Sequence, residues 1–212
     1  MIHQCHLQAR RARLPSRIWA DERAAQLVEF AVALPLLVVF VVGIFDFSGA
    51  YTLKQKLTNI TRDAARVAAA DPATDLISTF SSGTAPDSVV DVFNVVDNYL
   101  IANQINDCGV TAGNVTSVGT LTWQYAKVAT SGPPCGITLT VNRGYVFPQT
   151  GATPPSVTCA SQSAGSGTAV IGTCVSLQYT YNWKFGRVSS LLGSSVALPP
   201  QISGIGVALN EN

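Results

Sequence analysis

The sequence has little charge, because only 12% of its 212 residues are Asp, Glu, Lys or Arg, against about 25% in an ordinary globular protein. Lys and Arg number 13 and Asp and Glu number 12, so no excess of one sign favours nucleic acid or an acidic substrate as a ligand. The 47% share of hydrophobic residues excludes intrinsic disorder over most of the chain. The length allows one modest domain with appendages.

Groups that perform catalysis or bind metals are equally scarce. The chain has 2 His, and it contains no Gly-x-Ser-x-Gly motif, no phosphate-binding loop and no His-Glu-x-x-His motif. No candidate catalytic constellation is present in the sequence. We therefore expect a protein that is not an enzyme and that uses no metal, no cofactor and no small-molecule substrate.

The few charges are placed unevenly along the chain. Five Arg lie in the first 24 residues, where only Asp21 and Glu22 oppose them, and an apolar segment over 27–48 follows. Within that segment Phe30 to Phe45 contains no charge for 16 residues. As a helix the segment would span roughly 33 Å, about the thickness of the hydrocarbon core of a bilayer.

The charge pattern also predicts an orientation and a division of the chain. Arg-rich residues before the apolar segment place the N-terminus in the cytoplasm and the C-terminal part across the membrane. We expect a basic cytoplasmic leader over 1–24, a transmembrane helix over 25–48, an extramembrane continuation of the helix over 49–70 and an exported head over 71–212. A buried core helix is the alternative interpretation, and the Arg flank argues against it.

Three residues stand out in or beside the apolar segment. Glu29 lies just inside its start, where an unpaired carboxylate is costly and a functional role is the default hypothesis. Asp46 lies at its far end and is interpreted as marking the outer membrane interface. Pro35 removes one helical hydrogen bond and favours a kink, which neighbouring helices can tolerate.

The pattern beyond the apolar segment predicts an α+β head. Apolar residues recur at helical spacing as far as Ala68, so we expect one helix from about Ala24 to Ala70, ended by Asp71-Pro72. A second helix is predicted over 87–104, with Asp87 or Ser88 as its cap. The predicted fold class is therefore α+β, in which a long membrane-spanning N-terminal helix continues into a head with a second helix and an antiparallel β-sheet.

Strict alternation of apolar and polar residues predicts the strands of that sheet. It occurs over 121–125 and 137–141, and it is clearest from Val175 to Phe185. The outer half of the long helix should cover one face of the sheet. Aromatic residues in these strands suggest a stacking platform for sugars or bases as an alternative, but only Lys127 and Lys184 lie near them, so we expect core packing and no nucleic-acid partner.

Four of the five Cys lie beyond the apolar segment, on the side predicted to be oxidising: Cys108, Cys135, Cys159 and Cys174. An even number there predicts two disulfides with three pairings to choose from. We favour the pairs Cys108–Cys135 and Cys159–Cys174, because each pair closes a short loop next to a strand. A four-cysteine zinc site is the alternative, although the sequence has no Cys-x-x-Cys pair.

Several segments together resemble the TadE-like pseudopilins of tight-adherence (Tad/Flp) pilus systems. The segments are Arg23-Ala24-Ala25-Gln26-Leu27-Val28-Glu29-Phe30, Leu34-Pro35-Leu36-Leu37, Gly43-Ile44-Phe45-Asp46-Phe47 and the Ala-Arg-rich stretch from Thr61 to Ala68. The strong resemblance covers 23–70. The stretches 175–185 and 191–211 are similar to the end of that family more weakly.

The resemblance implies processing and assembly. In the family a prepilin peptidase cuts five residues before the Glu, here between Ala24 and Ala25, and the family usually has Gly where this chain has Ala24. Glu29, followed by Phe30, would then neutralise a new N-terminal ammonium inside a bundle of apolar helices. Pro35, Gly43 and Asp46 would belong to the membrane helix and its assembly interface.

The resemblance also implies a location and a set of partners. The protein would be a structural minor pilin of the bacterial inner membrane, and after assembly it could stand in a surface pilus involved in cell adhesion or secretion. Its partners would be the membrane, other pilin subunits, assembly-platform proteins and the prepilin peptidase.

Two other roles stay open on the sequence alone, and an extracytoplasmic enzyme ranks after both because no set of nucleophile, base or metal ligands is present. The first is an uncut bitopic membrane protein with an extracytoplasmic interaction domain. The second is a secreted binding domain released by a signal peptidase, since Ser48-Gly49-Ala50 resembles a small-residue cleavage site. The apolar run is long for a signal peptide, and such a cut would break the long helix.

Overall fold

The computed structural model describes residues 22–76, 85–111, 115–127, 135–147, 155–160, 170–185 and 198–211, and it describes side chains from Ala25 onward. The helices are α1 (Glu22–Ala70) and α2 (Asp87–Ala102). The strands are β1 (Thr116–Gly119), β2 (Thr122–Lys127), β3 (Ile137–Phe147), β4 (Val170–Thr180) and β5 (Gln201–Leu209). They form one antiparallel sheet in the order β1-β2-β3-β4-β5, which confirms the predicted α+β class. Most of the predicted leader lies outside the described residues.

Helix α1 is continuous over 49 residues, with Pro35 inside it. It ends at Ala70, immediately before Asp71-Pro72, as the sequence predicts. Its N-terminal half exposes a band of large apolar side chains: Leu27, Val28, Phe30, Val32, Leu34, Leu36, Leu37, Val38, Phe40, Val41, Ile44 and Phe45. Among the described residues, α1 is the helix that is long and apolar enough to cross a membrane, with a mean hydropathy of 2.7 over an 18-residue stretch.

The C-terminal half of α1 packs on the sheet, chiefly on β5 and also on β4. Leu57, Ile60 and Ala64 of the helix are buried in one core with Val175 and Leu177 of β4. Helix α2 lies along α1 and contributes its apolar face to the same core: Val89, Val92, Phe93, Val96 and Leu100. The prediction that the outer half of the long helix covers the sheet is confirmed.

Two glycines of β5 allow its backbone to touch the backbone of α1. A Cβ built on Gly204 would overlap the peptide unit of Leu57, and a Cβ built on Gly206 would overlap the carbonyl group of Thr61. Any side chain at these two positions would push the strand away from the helix. The backbones of α1 and β5 therefore approach each other more closely than the backbones of two elements that have side chains between them.

Two predicted details of these elements are wrong. Neither Asp87 nor Ser88 caps α2: Pro86 is the N-cap, and the backbone N–H of Ser88 donates to the carboxylate of Asp75 at 3.0 Å, so the acceptor comes from an earlier turn. The strand predicted as far as Phe185 ends at Thr180, because β5 begins opposite that residue and β3 begins opposite the residue before it.

Both disulfides of the favoured pairing are present. Cys108–Cys135 joins the segment after α2 to the start of β3, with 5.6 Å between the Cα atoms. Cys159–Cys174 joins the segment 155–160 to β4, with 5.7 Å between the Cα atoms. Each bridge closes a short loop and so stabilises the fold by about 3 kcal/mol in the chain-entropy treatment.

We expect Gly206→Ala to lower the free energy of unfolding of the head by about 2 kcal/mol, since the new methyl group overlaps the α1 backbone. Gly119→Ala is the matched control, because its Cβ would lie at an ordinary 3.7 Å from Thr122. Denaturant unfolding of the full-length chain in detergent measures both. Equal effects of the two substitutions would contradict the close packing described above.

Candidate functional site

Within the part of the chain that the structure describes, the apolar half of α1 meets the head around Gly43–Gly49, in a region that we call the helix–head junction. It consists of Gly43, Asp46, Phe47 and Gly49 of the helix together with the segment Tyr181–Phe185 that follows β4. The side chains of Tyr181, Trp183 and Phe185 keep the alternation of β4 after its strand pairing has ended, so they face the helix as Val175 and Leu177 do.

Asp46 is the centre of the junction. Its side chain is 6% exposed, and both of its carboxylate oxygens accept hydrogen bonds. The Tyr181 hydroxyl donates to Oδ1 at 3.1 Å and also lies 3.1 Å from the Asp46 carbonyl oxygen, while the backbone N–H of Phe185 donates to Oδ2 at 2.8 Å. The carboxylate therefore holds both ends of the five-residue segment against the helix.

The same environment keeps the phenol of Tyr181 in its hydrogen-bond donating form. Burial raises the pKa of Tyr181 above its ordinary value, and the hydrogen bond and negative charge of Asp46 raise this pKa further. The hydroxyl therefore stays protonated throughout the neutral range.

Small residues on the helix make room for the aromatic rings. The ring of Phe185 lies 3.1 Å from the position that a Cβ of Gly43 would occupy, and the hydroxyl of Tyr181 lies 3.0 Å from that of Gly49. Phe47 completes the packing, with its ring centroid 5.2 Å from Trp183 and 5.8 Å from Phe185. We call Phe47, Tyr181, Trp183 and Phe185 the aromatic cluster.

A second polar network fixes the opposite end of the packed half of α1. Arg143 of β3 is 1% exposed; its Nη2 donates to the carbonyl of Asp71, just beyond the helix, at 3.0 Å, and its Nη1 donates to Thr173 at 3.2 Å. The Thr173 hydroxyl donates to the side chain of Asn210, whose Nδ2 donates to the carbonyl of Arg143 at 3.2 Å. A guanidinium is favourable there because the carbonyl end of a helix is negative.

Burial also shifts the pKa values of the charged groups in this network. It lowers the pKa of Arg143, although the negative charges of Asp75 and Asp71 oppose that shift. It raises the pKa of Asp71, and the negative charge of Asp91 adds to the rise. The network and the helix–head junction together hold the C-terminal half of α1 at both ends.

The site residues predicted from the sequence fall into two groups. Gly43 and Asp46, which were assigned to assembly, contact the head of the same chain. Pro35, the third residue assigned to assembly, lies inside the exposed N-terminal half of α1, and its part in assembly remains a prediction. Ala24, Ala25, Glu29 and Phe30 lie on the same half, where Phe30 is 64% exposed, and their part in processing remains a prediction.

Phe47, Gly49 and the segment Tyr181–Phe185 were not predicted to meet at the junction. The available signal was the alternation of aromatic residues beyond the last paired residue of β4. Among the described residues, no group of three or more His, Cys, Asp and Glu is placed to hold a metal ion.

Residues 24–66 match the family model described as TadE-like protein. The chain therefore contains a TadE-like segment that begins near the start of α1 and includes Glu29, Gly43 and Asp46. This finding confirms the resemblance seen in the sequence, and the match does not extend to 175–185 or 191–211. No curated protein and no solved structure matches the chain.

We expect Asp46→Ala to release the segment Tyr181–Phe185 from the helix. Alanine removes both carboxylate oxygens, so the Phe185 N–H loses its acceptor and the Tyr181 hydroxyl keeps only the main-chain carbonyl oxygen of residue 46. A hydrogen bond to a charged group contributes about 1.5–3 kcal/mol, so hydrogen exchange at the Phe185 amide should accelerate by at least about tenfold.

Exchange measured on the full-length protein in detergent, together with tryptic cleavage after the exposed Lys184, reads out this release. Asp63→Ala is the matched control on the same helix, since the side chain of Asp63 is 61% exposed and forms a 3.8 Å ion pair with Arg66. Unchanged exchange and cleavage in Asp46→Ala would show that the carboxylate does not hold the segment.

Proposed function

We propose that the protein is a membrane-anchored minor pilin or pseudopilin with a structural role in the assembly of a Tad-type pilus or secretion system. One observation supports this most directly: the TadE-like segment 24–66 coincides with a helix that exposes apolar side chains along its first half and is packed into a head along its second. The exposed half needs an apolar environment, and a lipid bilayer or a bundle of like helices provides one.

The proposed topology follows from the charges that flank this helix. The Arg-rich leader would stay in the cytoplasm and the head would lie outside the inner membrane. The two disulfides support this side for the head, because such bridges persist in an oxidising compartment.

Processing is the second part of the proposal. A prepilin peptidase would cut between Ala24 and Ala25, which leaves Glu29 about one helical turn from the new ammonium group. The lipid-facing residues of α1 would then pack against other pilin subunits and assembly-platform proteins. No catalytic role is proposed, and the head would serve adhesion or secretion by its contacts alone.

The junction argues against release of the head by a signal peptidase. A cut after Ala50 would remove Asp46 and Phe47, and Tyr181 and Phe185 would lose their hydrogen-bond acceptor. The head would also expose the rings that pack on Gly43 and Phe47. An anchor that stays attached through the junction keeps these contacts intact.

The N-terminus of the protein isolated from its native membranes tests the proposal. We expect a mature chain that begins at Ala25. A chain that begins at Met1 would identify a permanent bitopic anchor, and a chain that begins at Tyr51 would overturn the pilin proposal in favour of a secreted domain.

Two variants at the cut sharpen this test. Ala24→Gly should be processed at least as completely as the native chain, whereas Ala24→Glu should accumulate uncut, because the peptidase needs a small residue there. Equal processing of both variants would assign the cut to a different enzyme.

A further inference from the structure

We propose that three members of the aromatic cluster, all except Tyr181, form a membrane-binding surface that seats the head on the phospholipid of the outer leaflet. This inference rests on the proposed membrane anchoring and goes beyond it, because an anchored head could equally stand clear of the bilayer. The surface is formed by Phe47 of α1 and by Trp183 and Phe185 of the head.

The first argument is depth along the helix. Phe185 packs on Gly43, which lies inside the charge-free run that ends at Phe45. The head therefore touches the helix about one turn before the apolar segment ends, and a helix that spans the bilayer brings this part of the head to the membrane boundary.

The second argument is continuity with the apolar band of α1. Phe45 and Ile44 are largely exposed, and the ring of Phe47 beside them is 47% exposed although it also contacts Trp183. Trp183 and Phe185 are only partly buried, so the rings of the head extend the lipid-facing surface of the helix sideways. Trp is enriched in this interfacial layer. The indole N–H of Trp183 donates to the carbonyl of Pro199 at 2.7 Å, so the ring can lie against lipid without an unpaired donor.

The third argument is the position of the nearest cations. Lys184 is exposed and lies in sequence between the two rings of the head, and Lys54 is exposed on α1 about 12 Å beyond Asp46. The headgroup layer is roughly 5–8 Å thick on each side, so the Lys184 ammonium can reach lipid phosphates by extending its stem away from the level of the rings. The Lys54 ammonium lies farther out, where it donates to the carbonyl of Ser203 at 3.5 Å and the side chain remains exposed.

The experiment measures how closely Trp183 approaches lipid in the full-length protein. The chain has 3 Trp, so Trp19→Phe with Trp123→Phe leaves Trp183 as the only indole, and Trp19→Phe with Trp183→Phe leaves Trp123, which is 8% exposed in the core. Each variant is reconstituted at high lipid excess into vesicles of phosphatidylethanolamine and phosphatidylglycerol. A fraction of the lipid is brominated either near the glycerol backbone or near the chain ends.

We expect lipid brominated near the glycerol backbone to remove a large part of the Trp183 emission, and lipid brominated near the chain ends to remove less. The emission of Trp123 should be unchanged with both. Trp183 emission that no brominated lipid affects, in protein that floats with the vesicles, would overturn the inference and leave the anchoring intact. Cross-links between copies through this surface in the same sample would assign it to a second copy.

Two further outcomes are decisive. Protein that does not float with the vesicles would overturn both the anchoring and the inference. Equal quenching of Trp123 and Trp183 would mean that the head has inserted or unfolded as a whole, which excludes a specific membrane-binding surface.

Discussion

The direct contact between the backbone of α1 and the backbone of β5 is the constraint on which the rest of the structure depends. Because Gly204 and Gly206 have no side chains, the helix lies against the strand at the level of Leu57 and Thr61. This contact sets the height and the rotation of α1 over the sheet. With these fixed, Asp46 meets Tyr181 at one end of the packed region and the last turn of α1 meets Arg143 at the other.

Elements whose signal is local were predictable from the sequence. The extent of α1 follows from apolar spacing over Leu27 to Ala68 and from the Asp71-Pro72 that ends it, and α2 follows from Val and Leu placed between acids. The disulfide pairing could be favoured because each bridge spans a short loop. In all these cases the information lies within a few tens of residues.

The junction could not be predicted, because its partners are far apart in the chain. Asp46 is conspicuous as a charge at the end of an apolar run, yet the hydroxyl that binds it belongs to a residue 135 positions later. Alternation from Val175 to Phe185 indicates which side chains face the helix, but it does not indicate that strand pairing ends at Thr180. Glycine in a strand indicates that another backbone comes close, but the sequence does not say which backbone. The acceptor at the start of α2 was missed for a different reason: Asp75 is only 13 positions before Ser88, but it lies in a separate turn, whereas a capping side chain is expected at the helix start.

The unbroken helix makes the molecule torsionally stiff. No flexible linker separates the apolar half of α1 from the part that packs on the sheet. Contacts that fix the rotation of the helix about its axis therefore also fix the direction in which the head faces. One residue inserted between Phe40 and Gly43 would turn the head by about 100° and lift it by about 1.5 Å relative to the N-terminal turns. The number of residues in the apolar half of α1 therefore sets the side of the helix axis on which the exposed edge strand β1 lies.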